Sequence, residues 1–153
     1  MNKKDLTETD IRTKFITPAL DRDKGGRWDL MTQIREEIPF TKGRVMVQGK
    51  TARRGEGKRA DYILYYKPNL PIAVIEAKDN RHSVGAGMQQ ALDYAEILDV
   101  PFAYSSNGDA FLEHDRTRTS GTIGKVNPDF SFLPSFQVAV IATGPNPGGS
   151  IPP

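Results

Sequence analysis

Apolar positions along this chain alternate between a helical and an extended period. Leu6, Ile11, Phe15, Ile16 and Ala19 recur near three- and four-residue spacing and predict a first helix over residues 5–20, with Pro18 close to its end. "DRDKGGRWD" reads as a loop, "VMVQ" (45–48) as a short strand and "TARRGEGKR" as a Gly-rich, charged connection. "DYILYY" and "IAVIEAK", rich in β-branched and aromatic residues and joined by "KPNL", predict two strands. Met88, Ala91, Leu92, Ala95 and Leu98 return to helical spacing within 84–98, and "FAYSS" with "AFLEH" predicts a hairpin around Asn107-Gly108. A helix between strands 72–78 and 102–106 requires a right-handed crossover to a parallel neighbour. The expectation is a mixed central sheet flanked by helices, in an α/β or α+β domain.

The pattern changes towards the C-terminus. From residue 126 onward there is no Lys or Arg, Asp129 is the sole charge, and the chain finishes "GPNPGGSIPP". This predicts one domain over 1–133 and a tail over 134–153, partly disordered, in which "FQVAVIA" is either an edge strand or a poorly placed apolar segment.

Composition narrows the chemistry. At 153 residues and 17.0 kDa the chain suits a single core, and the lack of cysteine excludes disulfides and thiolate metal sites. The N-terminus is polar and no apolar run approaches the roughly 20 residues of a membrane span, so a soluble, cytoplasmic protein is expected. Net charge is only +2, but Lys42, Arg44, Lys50, Arg53, Arg54, Lys58 and Arg59 gather against Glu56 alone. Such a cluster suits a phosphate backbone, or is simply a solvated basic loop. "GRVMVQGKT" is no ATP site, because five residues separate its glycines where a P-loop requires four.

The stretch "IAVIEAKDN" places an acid and a base where a buried strand should end. Side chains alternate along a strand, so Ile72, Val74, Glu76 and Lys78 share one face and Ala73, Ile75 and Ala77 the other. With "KPNL" as a four-residue loop, Tyr66 pairs with Pro71, and Asp61 falls opposite Glu76. Opposed carboxylates are destabilising unless a positive charge lies between them, and Mg²⁺ is the economical choice. Lys78 would stand beside that ion, which is equipment for metal-assisted phosphodiester hydrolysis. On the following helix, Gln90 and Tyr94 are four apart and share a face adjacent to the apolar stripe. There Gln90 could bond Lys78 or a metal-bound water, and Tyr94 could reach a phosphate or a base. The plainer alternatives are a strand-end acid, a surface Glu-Lys pair and an ordinary half-buried tyrosine. His82 and His114 read as a loop histidine and part of a charged strand end.

"RADYILYYKPNLPIAVIEAKD" followed by "QQALDYAEIL" resembles the PD-(D/E)xK nucleases of the RecB-like branch, which carry a Q-x-x-x-Y helix behind the catalytic strand. "EAKDNRHSVGAGMQQALDYAEILDVPFAYSSNGDAF" resembles more closely the N-terminal nuclease domain of type I restriction enzyme R subunits, over about residues 5–115. The resemblance implies a restriction-endonuclease-like core. Asp61, Glu76 and the Ala77 backbone carbonyl would be metal ligands, Lys78 the catalytic lysine, and Gln90 with Tyr94 the supporting motif. Glu8 would be the first-helix acid. Ala60 stands where the motif's name has Pro. Mg²⁺, replaceable by Mn²⁺, is the expected cofactor, and Arg53, Arg54, Lys58 and Arg59 the expected contacts to double-stranded DNA. Specificity and methylation subunits and a motor region outside this chain are the expected partners. Two alternatives stay open: a non-catalytic DNA-binding or docking module, which would have no reason to keep opposed acids, and a structure-selective nuclease resembling Holliday-junction resolvases.

Overall fold

The structure, a computed structural model, describes residues 2–41, 44–45, 58–117 and 136–140. Among these, seven strands form one mixed sheet in the order β2-β1-β3-β4-β5-β6-β7. They are β1 (Ile34–Thr41), β2 (Arg44–Val45), β3 (Lys58–Lys67), β4 (Leu70–Ala77), β5 (Phe102–Ser106), β6 (Ala110–Asp115) and β7 (Phe136–Val140). The β4–β5 pair is parallel and the other neighbours are antiparallel, as the crossover through α3 (Met88–Leu98) requires. The α/β class is therefore as the sequence predicts.

The first helix is continuous in direction but not in hydrogen bonding. It runs as α1 (Glu8–Ile11), a π-helical turn (Arg12–Ile16) and α2 (Thr17–Leu20). Thr7 opens it with a capping box, its side chain accepting from the Asp10 N–H while Asp10 accepts from the Thr7 N–H. Pro18 has no N–H to give to the preceding turn, and just before it the Thr17 N–H reaches back five residues to the Arg12 carbonyl. This helix covers one face of the sheet, where Ile11, Ile16 and Leu20 join Ile34, Tyr62, Leu64, Ala73, Ile75 and Ala77. On the other face Met88, Ala91, Leu92 and Ala95 of α3 meet Ile63, Val74, Ala103 and Leu112. α3 begins only at Met88, after turns at 84–87, and closes at Asp99 in a left-handed cap.

Three expectations change. β1, inside "IREEIPFT", is a strand the charged sequence conceals; its Pro39 is tolerated because β2, the neighbour beyond it, pairs only at Phe40 and Thr41. "KPNL" is not a four-residue loop: Lys67 pairs with Leu70 around a two-residue turn in which Asn69 takes φ +65°. Tyr65 pairs with Pro71, leaving Tyr66 and Ile72 each as an extra residue on opposite strands. Ile72 consequently packs with the α1–α2 side and not with Val74.

At the C-terminal end, Phe136–Val140 pairs antiparallel with β6, so this part of the expected tail is the edge strand; residues 141–153 lie outside the described residues. Of the "VMVQ" strand only Val45 is described, in β2.

The β5–β6 hairpin turns at Asn107-Gly108 as predicted, with Gly108 at φ +89°. A Cβ there would lie 2.8 Å from Ile11 Cγ2. Gly108→Ala therefore combines an unfavourable backbone with overpacking and should lower the unfolding free energy by about 2 kcal/mol in denaturant titration.

Candidate active site

Asp61 and Glu76 meet where β3 and β4 separate. The last regular pair is Tyr62 with Ile75; one step further the strands exchange side-chain acceptors in place of ladder carbonyls. The Asp61 N–H donates to Glu76 Oε2 at 2.9 Å, and the Ala77 N–H donates to Asp61 Oδ2 at 2.8 Å. Each acid thus satisfies the backbone of the strand facing it. The predicted opposition holds despite the shorter turn, because the two extra residues, one on each strand, cancel.

Burial then acts on the pair. Glu76 is 2% exposed, and its pKa is raised, first by burial and then by the negative charge of Asp61. A hydrogen bond between the two carboxyl groups works in the same direction, while the Asp61 N–H and Lys78 oppose it. Lys78 acts on Glu76 and Arg12 on Asp61, yet the balance for Glu76 still favours its protonated form.

Lys78 follows β4 directly. Its N–H continues the parallel ladder to the Ser106 carbonyl at 2.9 Å, and among the described residues its ammonium makes no ion pair. Its positive charge acts on both Glu76 and Glu8. The loop behind it is fixed by Asn80 Nδ2 to the Asn107 carbonyl (2.9 Å) and Asn107 Nδ2 to the His82 carbonyl (2.7 Å). Glu8, the first residue of α1, is exposed, yet its pKa is raised by partial desolvation first and by Asp61 second, which places it beside the same anionic centre.

The helix motif comes together differently from the expectation. Gln90 Nε2 donates to Tyr94 Oη at 2.7 Å, not to Lys78. Tyr94 is not beside the apolar stripe but within the core, edge-on to Phe40 with centroids 4.9 Å apart. Asp61 and Glu76 both raise its pKa, after burial, so its hydroxyl end faces the acids. The approach of α3 depends on Gly87: a Cβ there would lie 3.1 Å from Ser105 Oγ and 3.3 Å from Glu76 Cβ. Buried Ser105 holds this start, accepting from the Gly87 N–H and donating to the Val84 carbonyl.

Of the expected DNA contacts, Lys58 and Arg59 are exposed on β3, and Lys58 Nζ lies 5.8 Å from the Tyr94 ring centroid. Arg53 and Arg54 lie outside the described residues. His82 pairs with Asp79 at 3.0 Å, and His114, at the end of β6 between Glu113 and Asp115, is buried, which lowers its pKa. Sequence reading missed Arg12, a buried cation against β1 and β3; its helical spacing from Glu8 was the available signal.

Among the described residues no group of three or more His, Asp or Glu side chains is close enough together to hold a metal. Two opposed carboxylates nevertheless fit Mg²⁺, which binds through one or two carboxylates and keeps the rest of its shell for water and phosphate. A cation there would offset the negative charge that burial disfavours at Glu76.

Residues 43–121 match the family described as "Type I restriction enzyme R protein N terminus". The chain belongs to that family. Over 121 residues it is 49% identical to the type I restriction enzyme EcoAI endonuclease subunit of Escherichia coli, a match covering 79% of this chain and 15% of that one. A solved fragment described as an HsdR subunit of a type I restriction enzyme from Vibrio vulnificus YJ016 shares 50% identity. Its TM-score is 0.59, over 73% of this chain and 21% of that one. The chain therefore spans about a fifth or less of the length of these relatives. Among the described residues no helix is long and apolar enough to cross a membrane.

The raised Glu76 pKa has a measurable sign. The folded chain retains a proton that the unfolded chain, with an ordinary carboxyl near 4.5, gives up. The associated stability is complete below that ordinary value and is lost as pH rises through the raised one. Denaturant titration of the metal-free chain should show falling stability from mildly acidic towards alkaline pH. Glu76→Gln, whose amide oxygen still accepts from Asp61 N–H, should flatten that dependence and be the more stable protein at neutral pH.

Proposed function

We propose that this domain is a Mg²⁺-dependent endodeoxyribonuclease module of a type I restriction R subunit. The observation that carries the reading is the exchange of acceptors between Asp61 and Glu76, which holds two carboxylates face to face at the end of a ladder. A fold has little to gain from opposing acids in this way unless a cation is to be held. Asp61 and Glu76 would hold it, with the Ala77 carbonyl completing the protein ligands. When bound, Mg²⁺ supplies a Lewis acid for the phosphoryl group and lowers the pKa of coordinated water.

The chain's own residues supply the remainder. Lys78, fixed by its main-chain bond to β5, donates from its ammonium to the phosphate oxygen on which charge develops. Glu8 approaches from the other helix layer and orients water on that side. Gln90 holds the Tyr94 hydroxyl, so the α3 wall offers a fixed polar edge to the substrate. Lys58, by the Tyr94 ring, extends this edge with one cation, and Arg59, next to it on the strand that carries Asp61, adds a second exposed one, both suited to phosphates flanking the cleaved bond. Mn²⁺ can replace Mg²⁺. Target choice and ATP-driven movement belong to specificity and methylation subunits and a motor region, the partners this module would serve.

In plasmid-cleavage assays on the 153-residue chain, activity should require Mg²⁺ or Mn²⁺, ignore ATP and ignore the presence of a recognition site. Asp61→Ala and Glu76→Ala should abolish it while the thermal transition remains cooperative; parent-rate cleavage by either variant would sink the assignment. Lys78→Ala should cut the rate by roughly 100-fold or more with Mn²⁺ affinity nearly unchanged in calorimetry. Loss of both together would make Lys78 a structural residue.

Neutralising Lys58 and Arg59 together should weaken binding to unrelated duplexes about equally. It should also reduce the salt slope by about 2, roughly one for each phosphate left without its cation. An unchanged slope would return these residues to a solvated surface.

A further inference from the structure

Arg12 is the one Arg or Lys among the described residues whose whole residue is buried, and the chemistry above does not use it. It stands one turn beyond Glu8, and its N–H bonds the Glu8 carbonyl. Its Nη2 donates to Glu36 Oε1 at 3.2 Å and to the main-chain carbonyl of Asp61 at 3.3 Å. Nη1 lies 3.6 Å from Glu37 Oε1, and the guanidinium carbon stands 5.1 Å from the centre of the Tyr62 ring. One planar fork therefore ties the helix carrying Glu8 to the strand carrying Asp61.

The backbone around it is arranged for this contact. Glu36 pairs with Tyr62 and Ile38 with Ala60, but Glu37, between them and across from Asp61, takes φ +50°. A left-handed glutamate costs about 1 kcal/mol or more. On either side of this point, residues of the same strand parity join different cores, Tyr62 on the α1–α2 side and Ala60 on the α3 side. The strand is thus twisted at Asp61, and Arg12 occupies the twist. Its carbonyl accepts from Tyr62 Oη at 3.4 Å and from the Thr17 N–H at the π-helical turn, which anchors the helix at the same place. Its Nε is buried without a partner among the described residues, an arrangement poorly explained by stability alone.

We propose that Arg12 is a positioning residue: its guanidinium sets the helix that carries Glu8 against the strand that carries Asp61, which fixes the Asp61 carboxylate for the cation and keeps Glu8 on the water side of it. This rests on the metal-dependent reading above. Lysine could not replace the fork, since a single ammonium cannot span two carboxylates and a carbonyl in one plane.

The test uses the full 153-residue chain with Mn²⁺ titration calorimetry and cleavage kinetics on Arg12→Met, Arg12→Lys, Glu8→Ala and the Arg12→Met/Glu8→Ala double variant. Arg12→Met should weaken Mn²⁺ binding by about 10- to 100-fold, the range for groups that orient metal ligands, with Arg12→Lys between it and the parent. Glu8→Ala should add little once Arg12 is gone, because the two losses share one cause. Parent-like affinity in Arg12→Met, or strictly additive effects, would overturn the proposal. Should Arg12→Met not fold, Glu36→Gln with Glu37→Gln changes only exposed groups that grip the guanidinium. It should then weaken Mn²⁺ binding several-fold, and no change there would overturn the proposal as well. If the parent binds no Mn²⁺, the metal-dependent reading fails and this inference with it.

Discussion

Two acids opposed across an antiparallel ladder set the terms for everything around them. Left in a regular ladder they would repel at short range while their strands stayed paired. The structure resolves this by ending the ladder at Tyr62 and Ile75 and letting each carboxylate accept the N–H of the opposite strand. Repulsion becomes backbone satisfaction, and what remains of it shows as the raised pKa of Glu76. From this follow the nearness of Lys78, the absence of a side chain at Gly87 and the buried Arg12 behind Asp61. Lys78 and Arg12 bring positive charge to the pair, and the bare Gly87 lets α3 close over it.

The parts of this arrangement that depend on strict periodicity were legible in the sequence. Alternation from Val74 to Glu76 and the matched position of Asp61 give the opposition, which survives the wrong turn length because Tyr66 and Ile72 cancel, and the apolar repeat of α3 gives the wall beside it. Asn107-Gly108 gives the turn that packs against Ile11. The parts that depend on irregular backbone were not legible. Nothing in "KPNL" shows that Tyr66 and Ile72 will each be an extra residue, and nothing in "IREEIPF" shows that Glu37 will turn left-handed inside a strand. Tyr94 was misplaced for a related reason: helical spacing tells which residues share a face, but Phe40, which receives its ring, lies in the strand the charges concealed.

Family membership and geometry support different statements. The match to R-subunit N-terminal regions says which larger polypeptides contain such a domain, and the chain spans 15% of one of them. The exchanged carboxylates carry the proposal of what the domain holds. The geometric statement does not depend on the segment between Val45 and Lys58, which carries Lys50, Arg53 and Arg54 of the basic cluster. The cations that the structure does describe, Lys58 and Arg59, share a strand with Asp61. A nucleic-acid backbone bound along that strand would be carried towards the acids with no further element needed.

The two extra residues near the hairpin tip have a consequence for how such a domain can vary. Because Tyr66 and Ile72 offset one another, pairing from Leu64 and Ala73 onward proceeds as though neither were present. The tip is in effect a slip joint. An insertion on one strand that is matched by a second on the other leaves the phase at Asp61 and Glu76 intact, whereas a lone insertion reverses every side chain up to the acids. Length changes at this end of the molecule should therefore be inherited in pairs, and a homologue with an odd difference here would have to restore phase before Tyr62 or lose its site.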